Sequence, residues 1–348
     1  MFEKIIDYLL DKACISIKYQ VHRDMLKTPF DDPMMRTMRA EILQQPMVEK
    51  HLAEQYPDGW IGHGLHGGGA IEGHVTAMLG LGVEADSPCI QNAIRALLTP
   101  EISNQHMNYF AGGDALDADG RGGNRSIISW ILAVARVSEE TPPLPDEIRL
   151  SFNHLSGALD HQNVDDFSLK GSKCRYYKPQ IKFPGANHIN LLAKTRSWQT
   201  DESLKTAKSA MTHCYLIMKD LDESITFRKP KEYGGSFVGP FNFNWRALDF
   251  IDMPDLCHIV DNPFKFYFGF WLRTITGLPH WALQTTRSYE LLAELLETDA
   301  LMNIMTDNAL QGFRHISGLE PNWRNSTAVK CDVTFAVLRA CWPIIMGA

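Results

Sequence analysis

Six pairs of helical patterns, joined by long polar loops, constrain this chain more than any other feature of its sequence. The first helix of each pair begins near residues 71, 124, 187, 245, 287 and 327, in steps of 53, 63, 58, 42 and 40 residues. A single helix pair cannot bury its apolar face alone, so successive pairs must pack against each other. Long loops and an irregular period favour a closed ring over an open solenoid. We therefore predict an all-α protein, an α/α toroid with six inner and six outer helices.

Further helical patterns precede the repeats. Residues 2–26 predict one long helix or two abutting ones, and shorter helices follow over 34–45 and 47–55. Prolines separate these patterns because proline cannot continue a helix. Runs of alternating β-branched residues are almost absent, which predicts few strands.

The organisation expected from these patterns is a single domain over residues 1–348. Residues 1–50 form an N-terminal helical extension packed on the barrel, and residues 51–348 form the hairpin repeats. The last helix is predicted over 326–342, with Pro343 ending it.

Composition excludes several classes of function. The net charge of −7 comes from 34 basic and 41 acidic residues without a clustered basic face, so no nucleic-acid partner is expected. No apolar run approaches ~18 residues and the first residues carry charges, so we expect neither a transmembrane segment nor a signal peptide. Seven irregularly spaced cysteines suggest reduced thiols and a cytoplasmic location.

Two nearby segments resemble a known family. Residues 55–60 read QYPDGW, which is similar to the Gln-to-Trp turn repeat of squalene and terpene cyclases and their prenyltransferase relatives. Residues 73–98, GHVTAMLGLGVEADSPCIQNAIRALL, resemble one of their helical hairpins. The resemblance is good over 55–98 and only architectural elsewhere. It implies the α/α toroid and a small ligand, isoprenoid or anionic, in a central cavity.

The chain differs from this family at the position of the catalytic acid motif. Class II terpene cyclases protonate an alkene with an Asp-x-Asp-Asp-Thr-Ala motif, and the matching register here reads EGHVTA over 72–77. Glu72 stands at the first aspartate and His74 at the proton donor, so standard alkene protonation is not expected there. The other acid-rich loops offer Asp119, Asp165 and Asp166 as candidate catalytic acids.

A glycine-rich segment concentrates histidines close to the register just described. His63, His66 and His74 lie within 12 residues of one another and are interleaved with glycines. Glu72 lies between His66 and His74. One interpretation is a general acid/base pair or an anion-binding loop at a helix N-terminus. The alternatives are turn glycines with capping, solvated histidines, or a metal site. We take His66, Glu72 and His74 as candidate catalytic residues.

No metal or other cofactor is expected. Asp255, Cys257 and His258 have the local pattern of the prenyltransferase zinc site, and the His66-Gly67-Gly68 run is faintly similar to lanthionine cyclases. A zinc site needs three or four converging ligands, and no third ligand can be placed from the sequence.

Polar or cationic residues mark the beginning of nearly every predicted inner helix. The candidate substrate-binding residues among them are Arg125, His188, Trp245, Arg246, Arg287 and Tyr289. A cation at a helix N-terminus opposes the helix dipole and therefore requires an anionic partner. We expect that partner to be an anionic ligand or a carboxylate, with Asp119, Asp165, Asp166 and Asp249 the nearest candidates.

Three function classes follow. The first is a cyclase-like or prenyltransferase-like enzyme that performs acid/base-assisted cyclisation or elimination on a small molecule. The second is a non-catalytic toroid that binds a ligand or a protein. The third is an enzyme resembling a polysaccharide lyase, a class that also builds its cleft on α/α toroids.

Overall fold

The computed structural model describes residues 2–107, 112–172, 174–218, 221, 225–228, 237–238, 281 and 318–345. These residues are mostly helical, with few and short strands, which confirms the all-α class. None of the described helices combines the length and the apolarity that a bilayer crossing requires.

The chain divides into two compact units. Unit 1 comprises Met1–Gln55, Ala77–Gln91 and Phe250–Ala348, and unit 2 comprises Tyr56–Thr76 and Asn92–Asp249. A single domain over the whole chain stays a prediction.

Unit 1 begins with the helical extension expected from the sequence. Two abutting helices occur where they were predicted, followed by a π-helical turn and two short helices, and the C-terminal helix belongs to the same unit. The elements are α1 (Phe2–Lys12), α2 (Ile15–Gln20), the π-helical turn (Val21–Met25), α3 (Pro33–Leu43), α4 (Pro46–Leu52) and the C-terminal helix α14 (Ser326–Ile345).

Buried polar contacts hold the C-terminal segment of unit 1 in place. The carboxylate of Asp332 on α14 accepts hydrogen bonds from the backbone of Leu319 and Glu320 and from the indole of Trp323. Glu320 in turn accepts a hydrogen bond of 2.7 Å from the backbone of Cys14. The first and last parts of unit 1 are therefore tied together by side chains as well as by apolar packing.

Two helices follow in the chain, α5 (Ile71–Gly80) and α6 (Pro88–Leu98). They occur where two helices were predicted within residues 55–98. Gly82 ends the first of them with φ of +95°, a left-handed conformation that glycine adopts without steric cost. Pro88 begins the second, as its fixed φ favours.

Unit 2 contains the remaining helices and a small sheet. Helix α10 packs against α9, α12 and α13, which places the core of the unit between these four helices. The elements are α7 (Pro100–His106), α8 (Gly113–Ala118), α9 (Asn124–Val134), α10 (Leu144–Gly157), a 3-10 turn (Ala158–Asp160), α11 (Val164–Phe167), α12 (Ala186–Lys194) and α13 (Asp201–Met218), with β1 (Ser168–Lys170), β2 (Arg175–Tyr177), β3 (Ile225–Arg228) and β4 (Phe237–Val238).

The strands join in the order β1-β2-β3-β4. Strand β2 pairs antiparallel with β1, in a register that places Ser168 opposite Tyr177, and parallel with β3, in a register that places Arg175 opposite Ile225. The pairing of β3 with β4 is antiparallel. The stretches before α12 and after α13, expected to be polar loops between helix pairs, therefore form short strands in part.

Four of the six predicted helix starts are confirmed. Helices begin at Ile71, Asn124, Ala186 and Ser326, each within one residue of its expected position. The starts expected near 245 and 287 lie outside the described residues.

Two boundaries differ from the predictions. The loop expected over 104–123 contains α8, a single short helix that glycines on both sides had obscured. Helix α14 continues through Pro343 to Ile345, although proline was expected to end it at residue 342. Proline removes one backbone hydrogen bond of the preceding turn, and α14 indeed ends two residues later.

Candidate functional site

The glycine-rich loop 62–69 folds back onto the first turn of α5. Backbone hydrogen bonds close it, from the amide of His63 to the carbonyl of Gly69 (2.8 Å) and from the amide of Ile71 to the carbonyl of Gly64 (3.2 Å). The fit is close, since a Cβ on Gly73 would lie 2.5 Å from the carbonyl oxygen of Gly67. The loop therefore has a defined position over the start of α5.

This loop brings His66 against Glu72. Nδ1 of His66 donates a hydrogen bond of 2.6 Å to Oε2 of Glu72, which also accepts one of 3.1 Å from the backbone of Gly67. The histidine is about half exposed and the carboxylate mostly covered. The hydrogen bond to Glu72 raises the pKa of His66 above its ordinary value, against the smaller opposing effect of burial.

His74 occupies a different environment. Its side chain is buried, and a Cβ on Gly62 would lie 2.5 Å from Cδ2 of its ring. Gly62 also has φ of +73°, so both its conformation and the approach of the imidazole call for glycine. The structure thus places His74 beneath the loop, while His66 lies on its exposed side.

A pocket opens beside Glu72 at the start of three helices. It encloses about 320 Å³, part of it open to solvent, and residues of α5, α9 and α12 form its wall. The lining residues are Glu72, Ser126, Ile127, Trp130, Asn187 and Asn190. Three helices that begin 53 to 62 residues apart in sequence therefore contribute to one cavity.

The close approach of the loop to α5 makes a direct prediction about Gly73. We expect Gly73→Ala to destabilise the protein by about 1–3 kcal/mol, because the new methyl group would overlap backbone carbonyl oxygens that cannot rotate away. Gly80→Ala is the matched control on the same helix, since a Cβ there meets nothing within 4 Å. It should be neutral or stabilising by up to about 1 kcal/mol. Chemical denaturation of both variants measures the difference, and equal midpoints would show that the loop is not packed as described.

Arg125 lies at the first turn of α9 and has acidic partners. Its guanidinium contacts Glu147 at 3.2 Å and Asp146 at 3.7 Å, while Asp117 accepts the backbone N–H of both Gly123 and Arg125. Burial raises the pKa of Glu147 to about 7, although Arg125 lowers it. Carboxylates were expected beside this arginine, but those expected, Asp119, Asp165 and Asp166, are not the ones that contact it.

Asp119 belongs to a buried polar cluster around Arg121. Oδ1 of Asp119 accepts the backbone N–H of Gln180 at 2.6 Å, and Oδ2 lies 3.7 Å from Nε of Arg121. Burial raises the pKa of Asp119. Arg121 is itself 2% exposed, and it donates to the carbonyls of Phe183 and Ile181. Asp119 therefore helps to hold the segment before α12.

Asp165 and Asp166 organise the short helix α11. Asp166 accepts the backbone N–H groups of Gln162 and Asn163, and these hydrogen bonds lower its pKa. Asp165 is exposed and forms an ion pair with Arg175 of β2. Neither residue lines the pocket.

His188 lies in the core of unit 2. Its Nδ1 accepts the backbone N–H of Gly185 at 2.9 Å, so its Nε2 carries the proton and donates to the carbonyl of Gly120 at 2.8 Å. The ring stacks on His154, with 4.5 Å between centroids. Burial lowers the pKa of His188 well below its ordinary value, which keeps the imidazole neutral.

Of the twelve predicted site residues, Glu72 lines the pocket, and His66 is hydrogen-bonded to Glu72. Trp245, Arg246, Arg287 and Tyr289 lie outside the described residues, as does Asp249. The lining residues Trp130, Asn187 and Asn190 were not among the predicted site residues, although Asn187 and Asn190 are polar residues close to a predicted helix start and so carry a signal that could have found them. Ser126 and Ile127 had no distinguishing signal, since serine and isoleucine at a helix start are common.

Within the described part of the chain, no group of three His, Cys, Asp or Glu side chains is arranged to hold a metal ion. Cys257 and His258, the residues resembling a prenyltransferase zinc site, lie outside the described residues.

Comparison with known proteins gives no relative. No protein-family profile, no curated protein and no solved structure matches the chain.

Proposed function

We propose that this protein is an enzyme in which Glu72 and His66 move a proton to or from a small molecule held in the pocket. The proposal is based on two contacts that Glu72 makes at once. Its carboxylate is part of the pocket wall and is also hydrogen-bonded to His66 at 2.6 Å.

The chemistry of this pair suits general acid/base catalysis. Both hydrogen bonds to the carboxylate use Oε2, and Oε1 accepts none from any residue that the structure describes. Oε1 is therefore available to a ligand proton. The hydrogen bond to Glu72 raises the pKa of His66 and so favours the protonated imidazole, which can donate its proton to a ligand.

The resemblance to terpene cyclases supports an arrangement more than a reaction. The α/α toroid is part of our proposal, and it is supported by the four helix starts at predicted positions and by the pocket that three of them share. Cyclisation or elimination with acid/base assistance is compatible with the Glu72–His66 pair. His74, at the register of the cyclase proton donor, is covered by Gly62 and is not assigned a role.

A non-catalytic function would use the same pocket. It differs only in the role of Glu72, which would then orient a ligand by accepting a hydrogen bond without moving a proton. A cytoplasmic location, suggested by the irregular cysteine pattern, is part of the same proposal and calls for cell fractionation.

Glu72→Gln should abolish turnover while leaving the fold intact. The amide keeps the size of the side chain but cannot accept a proton, so we expect at least a roughly hundredfold loss of rate. The assay incubates purified protein with a complex cell extract and follows consumed and formed metabolites by mass spectrometry. In parallel, NMR titration should show the pKa of His66 returning toward its ordinary value, because its charged partner is gone.

Glu101→Gln is the matched control, an exposed glutamate on α7 away from the pocket. It should retain the wild-type rate. A Glu72→Gln protein that consumes the same metabolites as the wild type at the same rate would contradict the proposal. Ligand binding by the wild type without any turnover would favour the non-catalytic function.

A further inference from the structure

We infer that the ligand of this pocket is a neutral molecule rich in hydroxyl groups, of the size of a monosaccharide or a cyclic polyol. This inference rests on the proposed function only in placing the ligand at Glu72. It specifies a substrate class, whereas the resemblance implied an isoprenoid or anionic ligand.

The first argument is the unused hydrogen-bonding capacity of the pocket wall. Among the described residues, no partner contacts the hydroxyl of Ser126, the amide of Asn190, Nε1 of Trp130 or Oε1 of Glu72. Asn187 uses only Nδ2, which donates to the carbonyl of Gly122 at 3.2 Å. Polar groups at a concave site without protein partners bind water or ligand.

The second argument is the mixture of donors and acceptors. A carboxylate only accepts, an indole N–H only donates, and an amide or hydroxyl does both. A ligand hydroxyl can donate to Glu72 and accept from Trp130, so several hydroxyl groups on one small ring can satisfy the whole wall. A prenyl chain would leave these groups desolvated and unpaired, which is costly.

The third argument is charge. Among the described lining residues there is one carboxylate and no cationic side chain. Arg125, adjacent in sequence to Ser126, is engaged with Glu147 and Asp146. An anionic ligand would therefore meet repulsion from Glu72 without a compensating cation in the described wall.

The fourth argument is the apolar part of the pocket. Trp130 is half-buried and Ile127 is buried, so the wall offers one indole and one aliphatic surface. A sugar ring has an apolar C–H face that can lie on an indole while its hydroxyl groups reach polar residues. The wall is small, with six described residues from three helices, which suits a single ring.

Titration of the purified protein with four sets of compounds tests the inference. The sets are neutral monosaccharides and cyclic polyols, their phosphorylated or carboxylated analogues, prenyl alcohols, and prenyl diphosphates, with binding followed by ligand-observed NMR and calorimetry. We expect saturable binding of at least one neutral compound. Asn190→Ala should weaken it roughly tenfold, the loss of one or two hydrogen bonds, with little effect on stability because the amide has no protein partner.

Asn104→Ala is the matched control, an exposed asparagine on α7 outside the pocket. It should leave the affinity unchanged. The inference is overturned if only charged analogues or only prenyl compounds bind, if no set binds, or if Asn190→Ala binds as tightly as the control. Turnover of an anionic or prenyl substrate lost in Glu72→Gln would uphold the proposed function while rejecting this ligand class. Binding of neutral polyols with no turnover would uphold this ligand class while rejecting the proposed catalytic function.

Discussion

Replacing Arg121 with methionine is expected to destabilise the protein by about 3 kcal/mol or more. The guanidinium is 2% exposed, donates to the carbonyls of Phe183 and Ile181, and lies 4.2 Å from the ring centroid of Tyr177. Methionine fills a similar volume, but it removes one hydrogen bond from each of these carbonyls and takes the cation away from the carboxylate of Asp119, which lies 3.7 Å from Nε of Arg121.

Two opposing effects decide the size of this change. Burial of the charge is unfavourable and lowers the pKa of Arg121, so removing the charge alone would stabilise the protein. Each hydrogen bond lost from a buried carbonyl costs about 1–3 kcal/mol, and two are lost together with the cation beside the carboxylate of Asp119. The lost donors therefore outweigh the relieved desolvation.

Arg149→Met provides the control for Arg121→Met. Arg149 is exposed and bonds Asp146 one turn away on α10 at 2.7 Å, an ion pair worth at most about 0.5 kcal/mol. Urea unfolding of the two variants gives the comparison. Equal stabilities would mean that Arg121 does not hold the segment before α12.

Acidification is expected to weaken the protein through His154. Burial, followed by the charges of Arg121 and Lys182, lowers the pKa of this histidine from 6.5 to about 4. Above pH 6.5 the folded and unfolded states are both neutral at this residue. As the pH falls below 6.5 the unfolded state takes up the proton first, so stability is lost progressively between pH 6.5 and 4, by about 3 kcal/mol for this residue.

Neighbouring groups modify this pH dependence. His188, stacked on His154, has its pKa lowered by burial and adds to the loss in the same direction. Glu147 acts in the opposite direction, because burial raises its pKa to about 7 and its protonation on acidification relieves an unfavourable buried charge. The net slope of the wild type is therefore smaller than the contribution of the histidines.

The variant His154→Gln isolates the histidine contribution. Its unfolding free energy should fall less steeply than that of the wild type between pH 6.5 and 4, since the effect of Glu147 is common to both proteins. His63→Gln, on the exposed loop, should keep the wild-type slope. Parallel curves for His154→Gln and the wild type would contradict a buried neutral His154.

The local sequence determined the helices, because their signals are local. Apolar residues repeat at helical spacing after polar loops, so four helix starts could be placed to within one residue. Prolines mark the beginnings of α3, α4 and α6, and Gly82 supplies the left-handed turn that ends α5. The strands β1 and β2 could not be predicted, since each has only three residues and β2 also pairs with β3, where Arg175 lies opposite Ile225.

The tertiary structure decided which polar residues share a site. Glu72, Ser126 and Asn190 meet because three helices begin at one cavity, and their separation in sequence carries no information about that contact. Asp119, Asp165, Asp166 and His188 look equally suitable as catalytic residues in the sequence. The fold instead uses their hydrogen bonds for loops, caps and a buried stack, because burial and backbone partners depend on segments distant in the chain.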